Sequence, residues 1–291
     1  MSIIELKNVT FSYGKKTPYE MKALDDVNLC IEENLITGLI GHTGSGKSTL
    51  VQMLNGLLRP DSGTIIIDNE DIWEKPKKIG DVRFKVGIVM QYPEYQLFAE
   101  TVRDDIAYGP KNMKLSEEEI DHRVRQSAEF CGISEDALDK SPFDLSGGQK
   151  RRVALAGVMA MNPKILVLDE PAAGLDPKGR REILGGIKRY REESGTTVII
   201  VSHSMEDMAM YCDRVIVMSN AQAIANGTTK EVFSKKKLLL DAGLDVPEIT
   251  HVASALRDIG VEIDNDVYTV DTAFEAIKRL HSSLNEEGSD E

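Results

Sequence analysis

The run Gly41-His42-Thr43-Gly44-Ser45-Gly46-Lys47-Ser48 fits the pattern G-x-x-x-x-G-K-[ST]. Glycines at this spacing let the backbone turn so tightly that successive N–H groups point inward at phosphate oxygens, and a helix starting there adds positive potential. In such a loop Lys47 reaches the β- and γ-phosphates of a nucleotide and the Ser48 hydroxyl ligates Mg²⁺, with Thr49 next in the run. A second constellation, Asp169-Glu170, ends the apolar run Ile165-Leu166-Val167-Leu168. The first carboxylate suits the shell of Mg²⁺, and Glu170, one residue on, can accept a proton from an attacking water. The pair therefore points to nucleotide hydrolysis. A third run, Leu145-Ser146-Gly147-Gly148-Gln149, is followed by Lys150-Arg151-Arg152 and helix-compatible sequence. It makes another phosphate-facing helix start. Since one loop already cradles the nucleotide, the economical explanation is that this surface faces a nucleotide held by another subunit.

These residues need elements to hold them. Residues 36–40 form a strand-length apolar run directly before the glycine loop, and residues 49–57 are compatible with a helix after it. Alternation at Val27, Leu29 and Ile31, and apolar runs at 64–67 and 86–90, predict further strands, separated by turns such as Pro60-Asp61-Ser62-Gly63. From Ser116, spaced from Glu119 as a capping box, the pattern turns helical, with Ile120, Val124 and Cys131 along one face. This gives a helical subdomain over about residues 95–150. Strands resume at 165–168, 198–201 and 215–218 with helix-compatible sequence between the first two, as parallel βαβ units require. The expected fold is α/β: a mostly parallel sheet, an N-terminal antiparallel portion and an inserted helical subdomain. After residue 230 a small α+β extension is expected over 231–291. Its first helix carries the stripe Ile249, Val252, Ala253, Leu256 and Ile259, residues 261–270 read as a hairpin around Asp264-Asn265-Asp266, and Thr272 with Glu275 opens a last helix. Residues 285–291, with four acidic and no basic side chains, read as a frayed tail.

Composition narrows the class of partner. The chain has 291 residues, enough for about two domains. Its 35 Lys and Arg against 48 Asp and Glu give a net charge of −13, which repels nucleic acid on average. The densest basic clusters, Lys75, Lys77, Lys78 and Lys235, Lys236, Lys237, read as solvated surface. No apolar run approaches the ~18 residues of a membrane span, and residues 1–8 show no secretory signal, so the expected place is inside the cell. Cys30, Cys131 and Cys212 lie far apart, which argues against a disulfide framework or a zinc cluster.

With its LSGGQ run the chain resembles the ATPase subunits of ATP-binding cassette transporters over residues 1–230. The resemblance implies ATP and Mg²⁺ as ligands and supplies further site residues. Tyr13 stands where the family stacks an aromatic ring on adenine. Gln91 begins the Q-loop and senses Mg²⁺ or the attacking water, and Ala173-Gly174-Leu175-Asp176 is similar to the D-loop. His203, 34 residues after Asp169, stands where the family has the switch histidine against the γ-phosphate. Implied too is a clamp of two subunits that closes on ATP and opens after hydrolysis.

Within that family the run Gln91-Tyr92-Pro93-Glu94-Tyr95-Gln96-Leu97-Phe98, the Gly41-His42-Thr43-Gly44 start and Ala172-Ala173-Gly174-Leu175-Asp176-Pro177 resemble energy-coupling factor transporter ATPases. The opening through Leu24-Asp25-Asp26-Val27 is similar to the second of their two A-components. This resemblance implies a second ATPase subunit, related or identical, and a transmembrane T-component touching residues 92–98. It also implies exchangeable S-components that capture vitamins or metal ions, a dimer-stabilising C-terminal extension, and a peripheral position on the cytoplasmic face of the cell membrane. For Tyr92, Tyr95 and Phe98 the alternative is internal packing. An ordinary cassette importer or exporter would carry the same nucleotide motifs. Cassette proteins that act on chromosomes need a long coiled coil between the glycine loop and LSGGQ, yet Ser48 and Leu145 are only 97 positions apart. Translation factors of this kind carry two cassettes, and one is seen here.

Overall fold

The computed structural model describes residues 1–264 and 266–287. Its centre is a six-stranded sheet whose inner strands are apolar on both faces. These are β3 (Ile36–Gly41), β7 (Ile165–Asp169), β8 (Thr197–Val201) and β9 (Arg214–Ser219). With β6 (Val86–Val89) and β10 (Gln222–Thr228) the order is β10-β9-β3-β8-β7-β6, parallel except for β10. Leu39 registers with Val201 on one side and Ile216 on the other, and Asp169 lies opposite Val201.

Alternate residues of these strands feed two cores. Ile40, Leu166, Leu168, Ile200 and Val217 face the helical side, while Leu39, Val167, Ile199 and Ile216 face an antiparallel sheet. Burial on both faces is why the strands read as unbroken apolar runs, each fully covered aliphatic side chain contributing about 1.5–3 kcal/mol. The second sheet has the order β2-β1-β4-β5, built from β1 (Ser2–Tyr13), β2 (Met21–Glu32), β4 (Ser62–Ile67) and β5 (Glu70–Asp71). Helix α1 (Lys47–Leu54) packs Leu50, Val51, Met53 and Leu54 into the core between the two sheets. Helix α2 (Ile79–Lys85) leads into β6.

The helical layer comprises α3 (Val102–Asn112), α4 (Glu117–Phe130), α5 (Gly147–Met159), α6 (Pro177–Ser194) and α7 (Met205–Tyr211). Each start is fixed by a side chain that accepts a backbone N–H: Thr101, Ser116, Ser146, Asp176 and Ser204 in turn. Each such cap is worth about 0.5–2 kcal/mol. Helices α4 and α6 touch so closely at Gly186 that a Cβ there would collide with the Phe130 carbonyl oxygen. Gly186→Ala is therefore expected to destabilise the fold by about 1–3 kcal/mol. An unchanged melting temperature would show that α6 can withdraw freely.

The chain's C-terminal part departs from expectation. Helices α8 (Thr229–Phe233) and α9 (Lys236–Asp241) send Val232, Phe233 and Leu239 into the main core. Helices α10 (Glu248–Asp258) and α11 (Val270–Glu287) form a small core of their own around Ala253, Ile263, Val267, Ala273 and Ala276. The extension is helical rather than α+β: among the described residues of 261–270 there is no strand, and Asn265 lies outside them. Side chains take the carbonyls a hairpin ladder would use, since Arg257 donates to Asp264 O at 2.7 Å and Thr250 to Val267 O at 2.9 Å. Asp264 and Asp266 pair with Arg279 and Lys230 at 3.0 and 2.5 Å. Of the stripe on α10, Ala253 is buried while Val252 and Ile259 are exposed. The last helix starts at Val270, where the Thr269 hydroxyl accepts from the Thr272 N–H, so Thr269 rather than Thr272 is the cap. Residues 285–287 of the acidic stretch belong to α11, and 288–291 lie outside the described residues.

Candidate nucleotide site

The glycine loop joins β3 to α1 at the carboxyl edge of the parallel sheet. Gly46, the residue before the helix, has φ +105°, and a Cβ there would strike the Ala23 carbonyl oxygen, so the position requires glycine. Lys47 is buried and its Nζ donates to Gly41 O at 2.6 Å and His42 O at 3.0 Å. Burial lowers its pKa, and the charges of Asp169 and Glu170 counter that shift in part. Its ammonium is thus held inside the loop by the loop's own carbonyls.

Strand β7 delivers the acidic pair. Asp169 ends the strand, and Glu170 takes a left-handed backbone with φ +53°, anchored by its N–H to Val201 O at 2.9 Å. Left-handed backbone is costly for a residue with a Cβ, so the surrounding sheet must impose it. The turn directs the Glu170 carboxylate toward β8: Oε2 accepts from Ser202 at 3.5 Å, while Oε1 is buried without a hydrogen-bond partner. His203 Nε2 stands 3.6 Å from Oε1, too long for a hydrogen bond but close enough for charge to matter. Burial raises the pKa of both Asp169 and Glu170.

A cavity of about 390 Å³ unites these groups. Thr43, Gly44, Gly46, Lys47, Ser48 and Thr49 line it from the loop, Asp169, Glu170 and His203 from the strand ends, and Gln91 and Tyr13 from the side. The Tyr13 hydroxyl shares a hydrogen bond with Thr49 Oγ1 at 3.2 Å, and its ring meets Phe11 edge-on. Gly41, His42 and Ser45 do not line the cavity. Gly41 and His42 serve through their carbonyls, the His42 ring turns to Thr43 O, and the Ser45 hydroxyl is buried without a partner. Met21, Ala23 and Val201 also line it, and nothing in their type marks them: two come from β2, which folds over the loop.

The LSGGQ residues stand apart from this cavity. Ser146, Gly147 and Gln149 are exposed at the start of α5, Gly148 is half-buried, and a full capping box links Ser146 to Gln149. One chain therefore presents the cavity lined by the glycine loop and, outside its lining, an exposed helix start.

The chain is similar to proteins that are already known. Residues 24–173 match the ABC transporter family. A protein of Clostridium acetobutylicum named energy-coupling factor transporter ATP-binding protein EcfA2 is 52% identical over 281 residues, which cover 96% of this chain and 98% of the relative. The solved structure of cbiO1 from Clostridium perfringens, part of the ABC transporter complex cbiONQ, matches 87% of this chain and 99% of its own at 41% identity and a TM-score of 0.75. A dimeric ATP-binding cassette in a post-hydrolysis state, bound to ADP and Pi, matches 78% of this chain and 98% of its own at 30% identity and a TM-score of 0.70. The chain belongs to the ABC transporter family and, within it, to the energy-coupling factor transporter ATP-binding proteins.

Proposed function

We infer that this chain is the ATP-hydrolysing subunit of an energy-coupling factor transporter, which imports vitamins or other micronutrients through separate T and S membrane components. The carrying observation is the single cavity that gathers Lys47, Asp169, Glu170 and His203 in a chain of this family. Tyr13 and the loop 41–49 hold ATP. Glu170 takes a proton from the attacking water, oriented by His203, whose imidazole also reaches the γ-phosphate. Ser48, Asp169 and Gln91 present oxygen donors to the same cavity, the donor type Mg²⁺ prefers. Among the described residues there is no group of three or more His, Cys, Asp and Glu that could hold a metal ion. Once bound, Mg²⁺ offsets negative charge on the phosphate oxygens.

Ser146, Gly147, Gly148 and Gln149 face ATP held by a second, related ATPase subunit, and the dimeric cassette relative supports that pairing. The extension over 231–291 adds to the dimer contact, with Val252, Ile259, Phe274 and Ile277 exposed for it. The subunit sits on the cytoplasmic face of the membrane without crossing it; no described helix is long and apolar enough to span one.

The T-component docks on an open groove of about 420 Å³ whose apolar walls include Phe84, Leu97, Phe98, Tyr108 and Met161. An amphipathic helix fits such a groove. Tyr92, Tyr95 and Phe98 are 53, 85 and 60% exposed, which favours docking over internal packing. Asp105 braces the wall by accepting the N–H groups of Phe98 and Ala99 at 3.2 Å. Phe98→Asp, which puts a second carboxylate beside Asp105, should cut recovery of the T-component at least about tenfold. Full recovery in the pull-down would remove the groove from the docking site.

The deciding experiment is to tag the protein in its native cell, solubilise membranes gently and identify what co-purifies by mass spectrometry. A second related ATPase, one T-type membrane protein and several small membrane proteins are expected. A single dedicated permease would mean an ordinary cassette transporter, and ribosomes or DNA would overturn the transport reading.

A further inference from the structure

The basic run Lys150-Arg151-Arg152 has no part in the nucleotide cavity, yet one of its members is buried. Arg151, on the first turns of α5, is 8% exposed and forks onto Glu94, which is 16% exposed. Its Nε reaches Oε2 at 3.3 Å and its Nη2 reaches Oε1 at 3.1 Å. On the other side of the same planar group, Nη1 donates to the Ala173 carbonyl. Glu94 lies in the tight turn Pro93–Gln96, between the exposed rings of Tyr92 and Tyr95, and Tyr92 has a left-handed backbone with φ +58°. Ala173 closes the turn that begins at Glu170, its N–H donating to Glu170 O at 3.2 Å. Arg152, by contrast, donates to Cys131 O and Glu182, neither of which belongs to those two segments.

From this geometry we propose that Arg151 is a positioning residue that transmits T-component docking on residues 92–98 to the loop carrying Glu170 and the D-loop. It rests on the docking surface proposed above. A guanidinium suits the task because its donors lie in one rigid plane, so a shift of Glu94 moves the donor to Ala173 with it. Lysine, a single point charge on a flexible stem, cannot hold both partners in fixed relation. Being mostly buried, the pair is little screened by water or salt. Helix α5, which opens in the LSGGQ run, thereby shares one joint with the membrane-facing turn and with the hydrolytic loop.

The test uses the complete complex in proteoliposomes with a riboflavin-binding S-component, measuring tritiated riboflavin taken up per ATP hydrolysed. Glu94→Gln and Arg151→Lys are each expected to lower that ratio about 2 to 30-fold, with KM for ATP within about twofold of wild type. Arg152→Lys should leave the ratio at the wild-type value. Because the residues act as one unit, the Glu94→Gln/Arg151→Lys double variant should fall no lower than the lower single. Glu94→Gln keeps the side-chain shape and decides the matter if Arg151→Lys fails to assemble. Unchanged ratios in the singles, or effects that multiply in the double, would overturn the role of Arg151. If instead no transmembrane T-component assembles with the wild-type chain, the transporter reading itself fails.

Discussion

Glu170→Gln should keep ATP bound and lose about 10² to 10⁴-fold in hydrolysis, the usual worth of a positioned general base. The substitution preserves size and removes the negative charge and, with it, the capacity to accept a proton. Its left-handed backbone at φ +53° is anchored to β8 through Val201, so glutamine inherits the same placement. Oε1 has no hydrogen-bond partner within the protein, so the substitution breaks no hydrogen bond of the fold at that atom. Single-turnover hydrolysis by the reconstituted complex, with nucleotide retention measured in parallel, checks both halves. Near-normal turnover would move the base elsewhere, and lost retention would mean that Glu170 shapes the binding site.

Lys47→Ala should show the opposite pattern, a loss of affinity before any loss of chemistry. Charge-assisted hydrogen bonds to phosphate are worth about 1.5–3 kcal/mol, so the dissociation constant for ATP should rise about 10 to 150-fold. A second cost adds to it. Alanine leaves the Gly41 and His42 carbonyls without the donor that now reaches them at 2.6 and 3.0 Å, which loosens the loop before nucleotide arrives. Equilibrium titration with ATP decides it; an unchanged dissociation constant would mean that backbone N–H groups alone carry the phosphates.

Much of the site was legible because its residues are contiguous in sequence. The glycine loop, Asp169-Glu170 and LSGGQ each declare a backbone shape or a charge that suits phosphate chemistry. Gln91 and His203 needed the family resemblance, since one amide or imidazole at a strand end has many uses. Met21, Ala23 and Val201 gave no signal, because lining a cavity asks only for small or apolar shape. Strand β1 was missed since its ladder is interrupted by register shifts, with Asn8 at φ +51° within it. The expected hairpin at 261–270 failed for a long-range reason: Arg257 and Thr250 on α10 capture its carbonyls, and no local pattern announces that. Arg151 was visible as charge but not as a buried fork, for Glu94 lies 57 positions away in sequence.

The capping box at the start of α5 bears on what it costs the clamp to close. The Ser146 hydroxyl accepts from the Gln149 N–H and the Gln149 side chain accepts from the Ser146 N–H, so both side chains are already locked in the isolated subunit. In the clamp proposed above, closure then has less side-chain freedom to order at this surface, which lowers its entropic cost.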